Sequence, residues 1–156
     1  MTPLQDIIRP ALARLPETMQ GERAEVLLLA IGWQESRFFY RKQISGPARG
    51  FWQFERGGVY GVRKHPKSRD LALKLCNQYA ANDSEQVTNL LETEDILACQ
   101  LARLLLWTDP APLPALGKTQ AAWDYYLRNW RPGKPHRDTW DRFYQQAVES
   151  VCGETA

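Results

Sequence analysis

Ala24-Glu25-Val26-Leu27-Leu28-Leu29-Ala30-Ile31-Gly32-Trp33-Gln34-Glu35-Ser36-Arg37-Phe38 is the stretch on which the fold turns. Apolar residues run almost without interruption from Ala24 to Trp33, so a helix over Glu22–Glu35 is greasy on nearly every side. Such a helix belongs at the centre of a core, not on its surface. Its last turn carries a carboxyl group, Glu35. Burial disfavours a charged carboxyl, so Glu35 is expected to keep its proton closer to neutral pH than a free glutamate. An acid still protonated at that pH can donate to a leaving-group oxygen, as cleavage of a glycosidic bond requires.

Outward from this helix the pattern stays helical. Thr2-Pro3-x-Gln5 reads as a capping box with Pro at the first helical position, opening a helix to about Leu15 that Pro10 should kink or divide. Residues 40–63 hold Gly46, Pro47, Gly50, Gly57, Gly58 and Gly61 among β-branched and aromatic residues. That composition predicts loops with a small hairpin and no long helix. Further helices are expected over Ser68–Tyr79, Ser84–Leu91, Thr93–Trp107, Thr119–Asn129 and Arg137–Cys152, with Asp83 and Thr93 as N-caps. The proline-rich run from Asp109 to Pro114 leaves room only for a short turn. The fold class expected is mainly α, a single domain over 1–156 with a central buried helix and a small loop or β-hairpin region.

A chain of 156 residues is long enough to bury a real core. Hydrophobic residues make up 44% and charged residues 24%, the balance of an ordinary globular protein. The net charge of +2 is too small to imply nucleic acid, and acidic residues are spread through every predicted helix. No signal-peptide pattern opens the chain, and its longest apolar run is too short for a bilayer. The expectation is a chain made in the cytoplasm, without membrane insertion. Cys76, Cys99 and Cys152 cannot all pair within one chain and have no metal or redox spacing, so reduced structural thiols are expected. His65 and His136 sit in basic, Pro-containing segments and read as exposed loop residues. No phosphate loop or Cys/His cluster calls for a cofactor or metal.

Two motifs carry a family resemblance. Gln34-Glu35-Ser36-x-Phe38 resembles the Gln-Glu-Ser-x-Phe motif of the lytic transglycosylase and goose-type lysozyme superfamily. Ser45, Ala48, Gly50 and Gln53 match its Ser-x-x-Gly-Ala-x-Gly-Leu-Met-Gln motif once a residue is dropped before Ala48. Pro47 replaces a Gly and Phe51-Trp52 replaces Leu-Met. A third motif, Ala-Ala-Tyr-Asn-Ala-Gly, has a looser counterpart in Ala121-Ala122-Trp123-Asp124-Tyr125-Tyr126. The resemblance implies a lysozyme-like fold of the kind found in phage wall enzymes, acting on bacterial peptidoglycan as a monomer, in the virion or by a holin-type export route. It implies Glu35 as the catalytic acid, with Ser36, Ser45 and Gln53 supporting the site and substrate.

The remaining candidates have competing readings. Trp52 and Phe51 are either core residues or rings facing a sugar, one on each face if the stretch is extended. Trp123, Tyr125 and Tyr126 either bring a phenol or ring to Glu35 or pack along one helix face. Asn129 to Arg137, basic and rich in proline, lines the groove or merely links two helices. Glu55 stands where goose-type enzymes carry Asp. It is either a second carboxylate activating water, which makes an inverting muramidase, or a loop residue paired with Arg56. In lytic transglycosylases one glutamate serves as acid and then base, and the product ends in 1,6-anhydro-muramic acid. A non-catalytic wall-binding or virion structural protein is the alternative outside enzymology.

Overall fold

The burial of one helix organises the rest. In the computed structural model, which describes residues 1–153, α2 spans Glu22–Ser36 and buries an unbroken run from Val26 to Gly32. Each Leu or Ile in that run contributes about 2 kcal/mol of transfer free energy when it leaves water. Before α2 lie a π-helical turn, Leu4–Ile8, the short α1, Arg9–Ala13, and a 3-10 turn, Glu17–Met19. After it come α3 (Arg56–Lys64), α4 (Arg69–Asn77), α5 (Ser84–Leu90), α6 (Asp95–Trp107), α7 (Thr119–Trp130) and α8 (Arg137–Cys152). The fold is mainly α. Among the described residues no helix is long and apolar enough to cross a membrane.

Its most extensive contact joins α2 to α8, and α7 packs on α8 beside them. α3, α4 and α5 cluster together, and α6 runs between the two groups, touching α1, α2, α3 and α4. α6 is a second central helix, with nine buried residues that include Cys99. Cys76, Cys99 and Cys152 form no disulfide among the described residues.

Pro10 does not break the first helix. A proline has no N–H for the i−4 carbonyl and its ring crowds that carbonyl. The chain answers by widening the turn before it: the Arg9 N–H reaches back five residues to Leu4 O. The Thr2 N–H is taken by the Asp6 carboxylate at 2.8 Å.

Between α2 and α3 the structure departs from the sequence reading in two ways. The expected hairpin reduces to two isolated antiparallel bridges, Lys42 with Arg49 and Arg49 with Phe54, and no strand forms among the described residues. Residues 56–64, read as loop, form the nine-residue α3. Its three glycines hid a helical pattern whose apolar anchors, Val59 and Val62, are three apart and fully buried. Tertiary burial outweighs a low intrinsic propensity of about 1 kcal/mol per glycine. Of the two N-caps expected, Asp83 accepts from the Gln86 N–H at 2.8 Å, whereas Glu94, not Thr93, precedes α6.

The loop is nevertheless closely specified. Arg41 pairs with Asp95 at the start of α6 and lies over the Phe51 ring at 4.3 Å, fixing the loop to the body. Gly50 has φ +79, and a Cβ there would sit 2.7 Å from Leu91 O. Gly50→Ala is therefore expected to lower stability by about 2 kcal/mol or more, read as a fall in the thermal midpoint by circular dichroism. An unchanged midpoint would mean the loop repacks freely.

Candidate active site

α2 ends in a way that fixes Glu35. Arg37 and Phe38 both adopt left-handed backbone, φ 60 and 53, and the Arg37 N–H closes on Trp33 O at 3.0 Å. Ser36 Oγ donates to Gly32 O and accepts the Phe38 N–H, each at 3.1 Å. Ser36 is thus the side chain that terminates the helix. The chain then folds back until the Phe38 ring covers Gly32, where any Cβ would lie 2.0 Å from its Cζ. Phe38 meets Trp33, Phe51 and Trp52 edge-on, with centroids 5.4–5.9 Å apart.

Gln34 ties this terminus to α8. Its amide donates to His136 O at 2.8 Å and accepts from Thr139 Oγ1 at 3.0 Å. The basic segment from Arg131 to His136 therefore runs beside the helix end that carries Glu35.

Glu35 itself is half-buried, and the phenol of Tyr126 donates to its Oε2. Burial pushes the carboxyl up to about 7, and the phenol's hydrogen bond, which favours the charged form, offsets part of that rise. Burial and the adjoining carboxyl push the Tyr126 phenol far above its usual range, so it remains a donor. The Tyr126 ring stacks on Trp140 at 5.3 Å and 8° and tilts against Trp123 at 5.4 Å and Trp130 at 6.2 Å. Three indole rings from α7 and α8 thereby hold one phenol against one carboxyl. Tyr126→Phe keeps the packing and removes the donor. It is expected to move the Glu35 midpoint upward from about 7 by about one pH unit, read by carboxyl ¹³C titration. A downward move would mean the phenol is not its partner.

The other candidates fall elsewhere. Trp52 is fully buried, its indole N–H bonded to Leu28 O at 2.9 Å, so it is a core residue and no surface for a sugar. Phe51 is buried too: residues 50–53 form a turn, not an extended strand, and the two rings do not alternate between core and solvent. Gln53 (φ 53) donates its side-chain amide to Gly50 O at 3.0 Å, closing that same turn. Ser45 (φ 56) is exposed at the loop tip. Trp123 is buried against Tyr126 and Trp140. Tyr125, one residue from Tyr126, turns away from Glu35, and its hydroxyl lies 3.0 Å from both Leu106 O and Ala111 O. Glu55 is exposed at the N-cap of α3 and forms no ion pair with Arg56 among the described residues.

The sequence reading held Trp130 only as part of the 129–137 segment and missed Trp140, Phe39 and Tyr40. Trp130 donates its indole N–H to Trp52 O at 2.9 Å and sits between Tyr126 and Phe54. Trp140 is the fully buried platform under Tyr126. Phe39 and Tyr40 stand exposed just past the end of α2, their rings 4.8 Å apart edge-on. Phe38-Phe39-Tyr40 was a visible signal: three aromatics directly after a helix end cannot all enter one core.

No group of three or more His, Cys, Asp or Glu among the described residues is arranged to hold a metal ion. Compared with known proteins, the chain matches no family model, no curated protein and no solved structure. The chemistry available at the helix end is that of a partly desolvated carboxyl, poised between its acid and base forms near neutral pH and oriented by a phenol.

Proposed function

We propose that this chain is a peptidoglycan-cleaving enzyme of lysozyme-like fold, acting as a lytic transglycosylase with Glu35 as the single acid and base. The observation that carries the reading is the Glu35–Tyr126 pair: a carboxyl that burial pushes up to about 7, held at one oxygen by a phenol. At neutral pH both protonation states are populated. The acid form protonates the bridging oxygen between N-acetylmuramic acid and N-acetylglucosamine. The resulting carboxylate then takes the proton from the sugar's 6-hydroxyl as the 1,6-anhydro ring closes. With Oε2 engaged by Tyr126, Oε1 is the oxygen left to carry the transferred proton. One group that gives and regains a proton works best with a pKa near the working pH.

The order of the two motifs along the chain also supports the reading, as does the exposed Phe39–Tyr40 pair beside the site, since flat rings suit the apolar faces of sugars. Glu55 lacks a comparable setting, so the single-glutamate route is preferred to water activation by a second carboxylate. Incubation of purified sacculi followed by mass spectrometry tests this. Muropeptides with 1,6-anhydro ends are expected. Reducing ends would instead assign hydrolysis, and intact sacculi would remove the enzymatic reading.

A further inference from the structure

Arg103, on α6, is 3% exposed yet has no counter-ion among the described residues. Its Nε donates to Met19 O at 2.7 Å, the one hydrogen bond its side chain makes among the described residues. A guanidinium has five N–H donors in a rigid fork, so four are left over. Among the described residues no fully buried side-chain nitrogen lacks a partner, so the terminal amino groups of Arg103 reach accessible space along a narrow edge. That space is a cavity of about 770 Å³, walled by Leu106, Trp107, Leu113 and Tyr125 and by the beginning of α2.

The surroundings are electropositive. Gly21 precedes α2 and offers no side chain to cap it, so the first N–H groups of a fifteen-residue helix and the positive end of its dipole border the cavity. Arg23 and Lys67 stand on the rim. The two acids that also border it are engaged elsewhere. Asp109 is held by Arg128 at 2.6 Å and Asn129 at 2.8 Å, and Glu22 is hydrogen-bonded to Cys152. A cation taken from water without a counter-charge is costly to the fold. Burial accordingly pulls the Arg103 guanidinium below its ordinary pKa. An anion arriving in the cavity would relieve that cost.

We infer that this cavity binds a small organic carboxylate with an apolar body. The Arg103 fork takes the carboxylate, and Trp107, Pro112 and Leu113 cover the apolar part. A planar fork between greasy walls suits a carboxylate, which accepts two parallel N–H bonds. A free aliphatic or aromatic acid and the C-terminus of a short peptide share this chemistry. The site is separate from Glu35. Glu22, on the cavity wall, and Glu35 lie thirteen residues apart on α2, about 20 Å along the axis. Adjacent tyrosines on α7 divide between them, Tyr125 toward the cavity and Tyr126 toward the carboxyl.

Isothermal titration calorimetry of the full chain with 4-phenylbutyrate tests the inference, with 4-phenylbutyramide and inorganic phosphate as controls. Saturable binding of the acid is expected, with the amide weaker by about 10- to 100-fold because it forfeits the charge-assisted bonds. The dipeptide Ala-Phe, titrated beside 4-phenylbutyrate, separates the two sources: tighter binding of the dipeptide assigns a peptide C-terminus, and tighter binding of the simple acid assigns a free organic acid. Arg103→Met is expected to abolish the preference. Leu113→Asp, on the half-buried wall, is expected to weaken the acid at least tenfold while leaving the Met19 bond in place. Glu35→Gln is expected to bind as the parent does, so the result does not depend on how sugars are cut. No saturable heat, equal binding of acid and amide, or phosphate binding in place of phenylbutyrate would overturn the inference. If Arg103→Met does not fold, the acid-against-amide comparison on the parent chain decides alone.

Discussion

Under the proposed function, Glu35→Gln is expected to leave purified sacculi largely intact, slowing release of soluble fragments by about 10²- to 10⁴-fold, the span a positioned general acid contributes. The same substitution stabilises the protein. Burial pushes the Glu35 carboxyl up to about 7 in the fold against 4.5 for an unburied glutamate, so below pH 4.5 it is neutral whether the chain is folded or not and costs nothing. Between pH 4.5 and 7 the unfolded chain ionises first, and above 7 the folded protein bears the whole penalty of a buried charge. That difference corresponds to about 3 kcal/mol. Glutamine still accepts from the Tyr126 phenol but does not ionise. Its melting temperature should match the parent's near pH 4.5 and exceed it at pH 8 by about 6 to 12 °C. Calorimetry at the two pH values, beside turbidity assays on sacculi, reads both effects. Undiminished lysis would move catalysis to another group, and an equal stability gain at both pH values would mean that charge burial is not its cause.

Trp52→Ala is expected to cost about 3–5 kcal/mol of folding stability, a large part of the total for a domain of this size. The indole is fully buried, meets Phe38 at 5.4 Å and bonds Leu28 O in the middle of α2. Truncation opens a cavity beneath the loop and leaves a helix carbonyl without its side-chain donor. Urea unfolding measures the loss. Parent-like stability with weakened glycan binding would put Trp52 in the groove instead of the core.

Trp52 also shows where reading residues one after another loses its grip. An aromatic pair in a glycine-rich segment is compatible with strand or turn, and the two place their rings differently. Gly50 at φ +79 and Gln53 at φ 53 make it a turn, and both rings go inward. α3 is the converse case: local propensity spoke against a helix, while Val59 and Val62 found a core to enter. The third motif shows the limit most sharply. Tyr125 and Tyr126 both offered a phenol to Glu35, and about one hundred degrees of helical rotation between them sends the two to different neighbours. Trp140, on which the chosen phenol stacks, had no local signal at all, because its role exists only through α7 and α8 lying side by side.

The unaided sequence determined that the chain is mainly helical, that the helix opening at Glu22 is buried from Val26 to Gly32, and that a carboxyl closes its last turn. These follow from hydrophobic periodicity, which is local and additive along the chain. Only the tertiary structure decided that Tyr126 is the partner of Glu35, that Trp52 belongs to the core, and that Arg103 faces a cavity with no counter-ion among the described residues. Each depends on residues from separate helices meeting in space, where desolvation and hydrogen-bond geometry, not spacing along the chain, set the chemistry.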